Sequence, residues 1–189
     1  MTIGAIILAA GGSRRLGRAK QLVTHRGETL LARVIRVACE AGAWPVVVVL
    51  GAECEAIKGA VNLSCVRLVS NANWVKGIAT SIHVGLRAVE EDLPDGALIL
   101  TCDQPRLTAE HLRALVEVFD EGKIAASAYA GDVGVPAIFP RAMFTKLYAL
   151  SGDEGARSLL NGGGHAMVCV DFPGGEVDVD TPEDMAALE

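Results

Sequence analysis

Four short runs of the chain are mostly apolar on both faces: residues 3–7, 46–50, 65–70 and 97–101. Between them lie segments in which apolar side chains recur at helical spacing. Leu30, Leu31, Val34, Ile35 and Ala38 form one such stripe; Ile82, Leu86 and Val89 form another; Leu112, Leu115, Val116 and Phe119 form a third. Doubly buried strands alternating with amphipathic helices predict βαβ units, and hence a parallel sheet covered on both faces. Thr108 precedes the third stripe as a helix cap. The pattern is less regular afterwards. Residues 125–129 and 136–139 read as short strands, 142–150 and 154–160 as helices, and 167–170 and 177–179 as further strands before a closing helix after Pro182. Gly162-Gly163-Gly164 reads as a turn rather than a linker. The expected architecture is one α/β domain over residues 1–189, in three layers around a mostly parallel sheet.

Composition narrows the function. The chain is 51% hydrophobic and 21% charged, which excludes a mainly disordered state. No stretch approaches the ~20 apolar residues of a membrane helix. The apolar start, residues 3–10, is half that length, runs into Gly11-Gly12 and has no basic segment before it. It reads as a buried strand rather than a signal peptide. Five scattered cysteines without a C-x-x-C pair argue against a disulfide framework or structural zinc, and for the reducing cytoplasm. The net charge of −6 and an aromatic content of 4% argue against nucleic acid as a partner. A cytoplasmic enzyme acting on a small molecule, away from membranes, is the expectation.

In open α/β sheets, ligands bind beyond the carboxyl ends of the strands. The first strand ends in Leu8-Ala9-Ala10-Gly11-Gly12-Ser13-Arg14-Arg15-Leu16-Gly17-Arg18-Ala19-Lys20. Glycines let backbone N–H groups approach phosphate oxygens, and Arg15 and Lys20 can neutralise a triphosphate. The alternative is an ordinary glycine-rich turn with solvated cations. The spacing fits neither Walker A, since Arg18 and Ala19 follow Gly17, nor the G-x-G-x-x-G dinucleotide fingerprint.

With its L-A-A-G-x-S-x-R-x-G-x-x-K loop, the chain resembles the molybdenum cofactor nucleotidyltransferases over essentially its whole length, and among them the cytidylyltransferases. The resemblance implies a nucleotide-diphosphosugar transferase type of fold. It also implies that a loop of Leu8, Ala9, Ala10, Gly11, Gly12 and Ser13 wraps the nucleotide while Lys20 contacts phosphate.

A carboxylate closing a buried strand, as Asp103 does in Leu98-Ile99-Leu100-Thr101-Cys102-Asp103-Gln104-Pro105, wants a cation or a satisfied hydrogen-bond network. Carboxylates plus phosphate oxygens are the usual holders of magnesium. The resemblance makes Asp103 a Mg2+ ligand. Its D-T-P-E-D pattern assigns a second ligand to Asp180, with Asp178 a further candidate on the same side of an extended segment; a helix cap is the alternative for Asp180. The family's N-x-x-W-x-x-G-x-x-x-S segment places Gly77 and Ser81 beside the nucleotide, with Trp74 either stacking there or packing. At Gly134-Val135-Pro136 the chain departs from the family's G-H-P, which bears on the acceptor. Arg157 is either an anion contact or an exposed helix residue. The histidines (His25, His83, His111, His165) show no ligand spacing, and no Ser-His-Asp set occurs.

These readings converge on nucleotidyl transfer. The resemblance implies that CMP passes from CTP to the terminal phosphate of a molybdopterin-type cofactor, releasing pyrophosphate, with a molybdoenzyme as a possible recipient of the product. Arg15, Lys20 and Asp103 are the expected catalytic residues. A sugar 1-phosphate as acceptor, and a non-catalytic cofactor carrier, are the competing expectations.

Overall fold

The computed structural model describes residues 1–162 and 164–186. Gly163, the centre of the glycine turn, and the three residues following Ala186 lie outside them. Seven strands form one sheet: β1 (Ile3–Ala9), β4 (Val46–Leu50), β5 (Arg67–Ser70), β6 (Gly96–Thr101), β7 (Ile124–Tyr129), β8 (Asp132–Pro140) and β9 (Met167–Asp171). A small separate hairpin joins β2 (Thr24–His25) to β3 (Glu28–Thr29). The sheet order is β5-β4-β1-β6-β8-β7-β9, parallel throughout except for β8, which runs antiparallel to both neighbours.

The alternation of side chains along each strand builds the layers. From β1, Ile3, Ala5, Ile7 and Ala9 face α1 (Leu30–Glu40), α2 (Cys54–Ala60) and α4 (Ala109–Val118), together with Leu98 and Leu100 of β6. Ile6 faces α3 (Ile78–Glu90), α5 (Phe144–Ala149) and α6 (Arg157–Asn161), with Ala97 and Ile99 on the same side. β4 is buried on both faces because it carries valine at four successive positions between these helix layers. Gly85 lets α3 sit directly on the sheet: a Cβ there would lie 2.4 Å from a methyl of Ile6.

Several expected elements shift. The strand expected at 65–70 begins at Arg67, and the one at 136–139 extends back to Asp132. The helix expected from 142 begins as a single 3₁₀ turn before α5, and the one expected from 154 begins at Arg157. Residues 177–179 are not a strand. Val179 there donates its N–H to the Asp103 carbonyl at 3.0 Å instead of joining the sheet. Thr108 does cap α4, its side chain accepting from the His111 N–H. Among the described residues, no helix is long and apolar enough to cross a membrane.

This topology locates the ligand crevice. From β1 the chain moves one way to β4 and β5, then returns to β6 on the other side of β1. The order reverses between β1 and β6, where doubly wound folds open a crevice. The 10–20 loop and Asp103 both leave the sheet there.

Candidate active site

A cavity of about 380 Å³ opens at this point, lined by Leu8, Ala9, Ala10, Gly11, Lys20 and Asp103 from the first and sixth strand ends. Gly77, Ile78 and Ser81 line its far side from the start of α3. The loop after β1 has few internal bonds. Among the described residues, the backbone N–H groups of Gly11, Gly12, Ser13, Arg14 and Arg15 have no hydrogen-bond partner. Such a run of free amides suits an anion. Ser13, in the left-handed region at φ 46°, accepts from the Lys20 N–H through its hydroxyl at 3.0 Å, which closes the loop on itself. Gly12 lies under Trp74: a Cβ there would come 3.1 Å from the indole ring.

Lys20 is the centre of the charge arrangement. Its Nζ donates to Asp103 Oδ2 at 2.8 Å and to Asp180 Oδ1 at 2.6 Å. Arg15 donates to the other oxygen of Asp180 at 2.6 Å. The lysine and Asp103 side chains are only 17% and 20% exposed, whereas Arg15 is 72% exposed. Water therefore screens the arginine contact, and the lysine contacts are the stronger ones. Burial works against the Lys20 ammonium, but the charge of Asp103 and the hydrogen bonds to both carboxylates outweigh it and hold the pKa above the usual lysine range. Burial also disfavours the charged form of Asp180, yet Lys20 and then Arg15 hold that carboxyl below its ordinary value. Among the described residues, Asp178 has no such partner. Desolvation first, then the charges of Asp103 and Asp180, push it up to about 7.

A four-residue core brings the C-terminal segment to this place. Val179, fully buried, packs with Leu16, Val23 and Leu30. Side chains alternate along an extended segment, so burying Val179 leaves Asp178 and Asp180 to face the other way. Helix capping does not consume Asp180. Thr181 and Asp184 do that work reciprocally, Asp184 Oδ2 accepting from the Thr181 N–H at 2.8 Å and Thr181 Oγ1 accepting from the Asp184 N–H at 3.3 Å, at the start of α7 (Pro182–Ala186).

The remaining expected residues take structural duties as well. Asn71 is buried and donates to Ser81 Oγ at 2.9 Å and Thr80 Oγ1 at 2.8 Å, pinning the turn before α3. Gly77 sits at φ +111°, and a Cβ there would lie 2.0 Å from the Gly152 carbonyl. Trp74 both packs on Gly12 and Gly51 and lines the cavity. Arg157 is paired with Asp132. Periodicity gave no hint of Gln21, which is 1% exposed. Its Nε2 donates to the carbonyls of Ala9 at 2.7 Å and Gly11 at 3.1 Å, fixing the loop's exit from β1. Arg14 and Asp153 also line the cavity.

Chemically, the cavity offers cations, free amides and carboxylates. Cys102 lines it, but burial, reinforced by Asp103, pushes the thiol up to about 12, so it stays protonated. Among the described residues, no three metal-ligating side chains cluster. Asp103 and Asp180 nevertheless reach one cationic atom together. Two hard oxygen donors able to share a cation, open to phosphate oxygens, fit a divalent ion such as magnesium or manganese.

The model of the MobA-like NTP transferase domain matches residues 5–168. The chain is 34% identical to the purine catabolism protein PucB of Bacillus subtilis over 192 residues, covering 95% of this chain and 92% of that protein. It is 31% identical to nicotine blue oxidoreductase of Paenarthrobacter nicotinovorans over 198 residues, covering 98% and 96%. A probable molybdenum cofactor guanylyltransferase of Opitutus terrae is 34% identical over 139 residues, 73% of this chain and 66% of that one. The crystal structure of Rv0371c from Mycobacterium tuberculosis superposes with a TM-score of 0.88 at 32% identity, over 100% of this chain and 97% of that one. The Rv0371c complex with manganese does so with a TM-score of 0.84 at 30% identity, over 100% and 98%. The sheet is that of the nucleotide-diphosphosugar transferase fold. A loop, crevice and strand order built in this way, matched over most of its length, mark the chain as a member of the MobA-like NTP transferase family.

Proposed function

We propose that the protein transfers CMP from CTP to the terminal phosphate of a molybdopterin-type cofactor, releasing pyrophosphate. One observation carries the nucleotidyl-transfer reading: Lys20, Asp103 and Asp180 meet beside a run of free loop amides at the switch point of the sheet. The amides of residues 11–15 hold the triphosphate, and Lys20 and Arg15 take its outer charges. Asp103 and Asp180 would hold Mg2+, with Asp178 close by; when bound, the ion neutralises charge developing on the α-phosphate and the leaving pyrophosphate. A phosphate monoester is largely ionised at neutral pH and needs no general base. That agrees with a cavity in which the Cys102 thiol stays protonated.

Ala10 supports the choice of base. It is buried and lines the cavity, so its methyl occupies room that a purine would use. A second cavity of about 610 Å³ lies along the same sheet edge, with Tyr129 and Phe172 as aromatic walls and Asp132, Asp171 and Glu176 as acceptors. The amino and ring N–H donors of a pterin suit those carboxylates. Gln104 spans from Asp103 toward this cavity, donating to the Val135 and Gly175 carbonyls at 3.1 and 3.0 Å. The loop lacks the G-x-G-x-x-G fingerprint with which a Rossmann-type oxidoreductase holds its dinucleotide, which supports a nucleoside triphosphate there instead. Cysteines exposed at Cys39 and Cys65 suit the reducing cytoplasm.

The test is a matrix of nucleoside triphosphates against acceptors, scored by pyrophosphate release with magnesium. CTP with the phosphorylated pterin should give the highest kcat/KM. Turnover with a sugar 1-phosphate instead would move the acceptor, and no release with any pair would overturn the enzyme reading.

A further inference from the structure

Lys20 holds the position that a metal ion would need. One ammonium bridges Asp103 and Asp180, and Arg15 takes the remaining oxygen of Asp180. Two carboxylates thus face two cations of the same chain, and the pair is neutral as a set. A divalent ion arriving alone must displace an ammonium that makes two short charge-assisted hydrogen bonds from a position screened from water. A triphosphate arriving with the ion changes this balance, because it supplies new anionic partners for both cations. The free amides of residues 11–15 lie on the same loop as Lys20 and Arg15, so the phosphates they hold lie within reach of both side chains.

From this geometry we infer that Lys20 is an exchangeable internal cation that keeps free metal out of the site and surrenders the two carboxylates only when a triphosphate takes the lysine in return. The protein therefore accepts the metal as a metal–triphosphate complex. The inference rests on the reading of Asp103 and Asp180 as metal ligands, and it makes the lysine act oppositely on the two partners. It favours phosphate and opposes bare metal.

The experiment measures Mn2+ binding by the electron paramagnetic resonance signal of the free ion, without nucleotide, and tripolyphosphate binding by calorimetry in a chelator. Wild type is compared with Lys20→Met, which keeps the side-chain length without the charge, and with Lys20→Gln as a second neutral variant should the first fail to fold. The neutral variant should bind Mn2+ about ten-fold more tightly than wild type and tripolyphosphate about ten-fold more weakly. Adding Asp103→Asn to the neutral variant should abolish the gain. Equal or weaker Mn2+ binding in the neutral variant, with wild-type binding lost in Asp103→Asn, would overturn the exchange while leaving the metal ligands standing. No Mn2+ binding in any variant would overturn both, as would a gain that survives Asp103→Asn.

Discussion

Truncating Val179 to alanine should loosen the Asp178–Asp180 segment without weakening the sheet. Among the described residues, Val179 belongs to a core of four buried side chains with Met185 packed against it, separate from the two that cover the sheet. The change removes two methyl groups, worth about 0.8 kcal/mol each in transfer from water. If the site cannot collapse, a void of roughly 50 Å³ at about 24 cal/mol per Å³ adds on the order of 1 kcal/mol. The local loss is then about 1.5 to 3 kcal/mol, enough to raise the opening equilibrium of the segment roughly 10- to 100-fold. Amide hydrogen exchange reads this directly. The Val179 N–H donates to the Asp103 carbonyl, and the Asp180 and Thr181 N–H groups donate to Asp184. These amides should exchange about 10- to 100-fold faster, while those of β1 and β4 keep their wild-type rates. Uniform acceleration across the sheet, or no change at residue 179, would refute the idea that this small core anchors the segment that carries Asp180.

Three further outcomes follow from the site and its surroundings. Asp103→Asn should fold with a near-wild-type melting temperature yet lose roughly 10²-fold or more in turnover at saturating magnesium; full activity would remove Asp103 from the metal. Ala10→Gly should raise relative use of GTP over CTP by roughly ten-fold, since one methyl discriminates by ~1–3 kcal/mol, and kcat/KM for both nucleotides checks it. His111 carries a pH signature. Burial pushes its imidazole down to about 4, whereas the unfolded chain protonates near 6.5. The unfolded state gains the proton first, so this stability is intact above pH ~6.5 and is lost as pH falls toward 4. Urea unfolding at pH 7.5 and 4.5 should show wild type losing about 2 to 3 kcal/mol more than His111→Gln.

The legible parts of the fold were those set by local pattern. The valine run of β4 and the stripe Leu31, Val34, Ile35, Ala38 of α1 can be satisfied only by a doubly covered sheet and the helix on it. Strand direction is different, because the second half of β8, residues 136–140, is as buried as β6 beside it and the pattern is the same for either sense. The available signal was Ala130-Gly131, where both residues sit at positive φ in a two-residue turn that forces β7 and β8 antiparallel. Residues 177–179 alternate like a strand, but the alternation serves the four-residue core with Leu16 and Val23, a contact across more than 150 residues that no local window contains. Gln21 was invisible for a related reason. A buried amide is recognised by the two carbonyls it holds, and these are defined only once β1 has ended. Lys20, Asp103 and Asp180 stood out individually by their positions beside strand ends and turns, whereas the bridging of both carboxylates by one ammonium is a property of the assembled crevice.

Nucleotidyl transfer is tested most directly by following a label from the donor. With CTP labelled at the α-phosphorus, the phosphorylated pterin and magnesium, the label should appear on the acceptor in step with pyrophosphate release; with CTP labelled at the γ-phosphorus it should appear only in pyrophosphate. Transfer of the γ-label to the acceptor would show phosphoryl transfer instead, and would contradict the account.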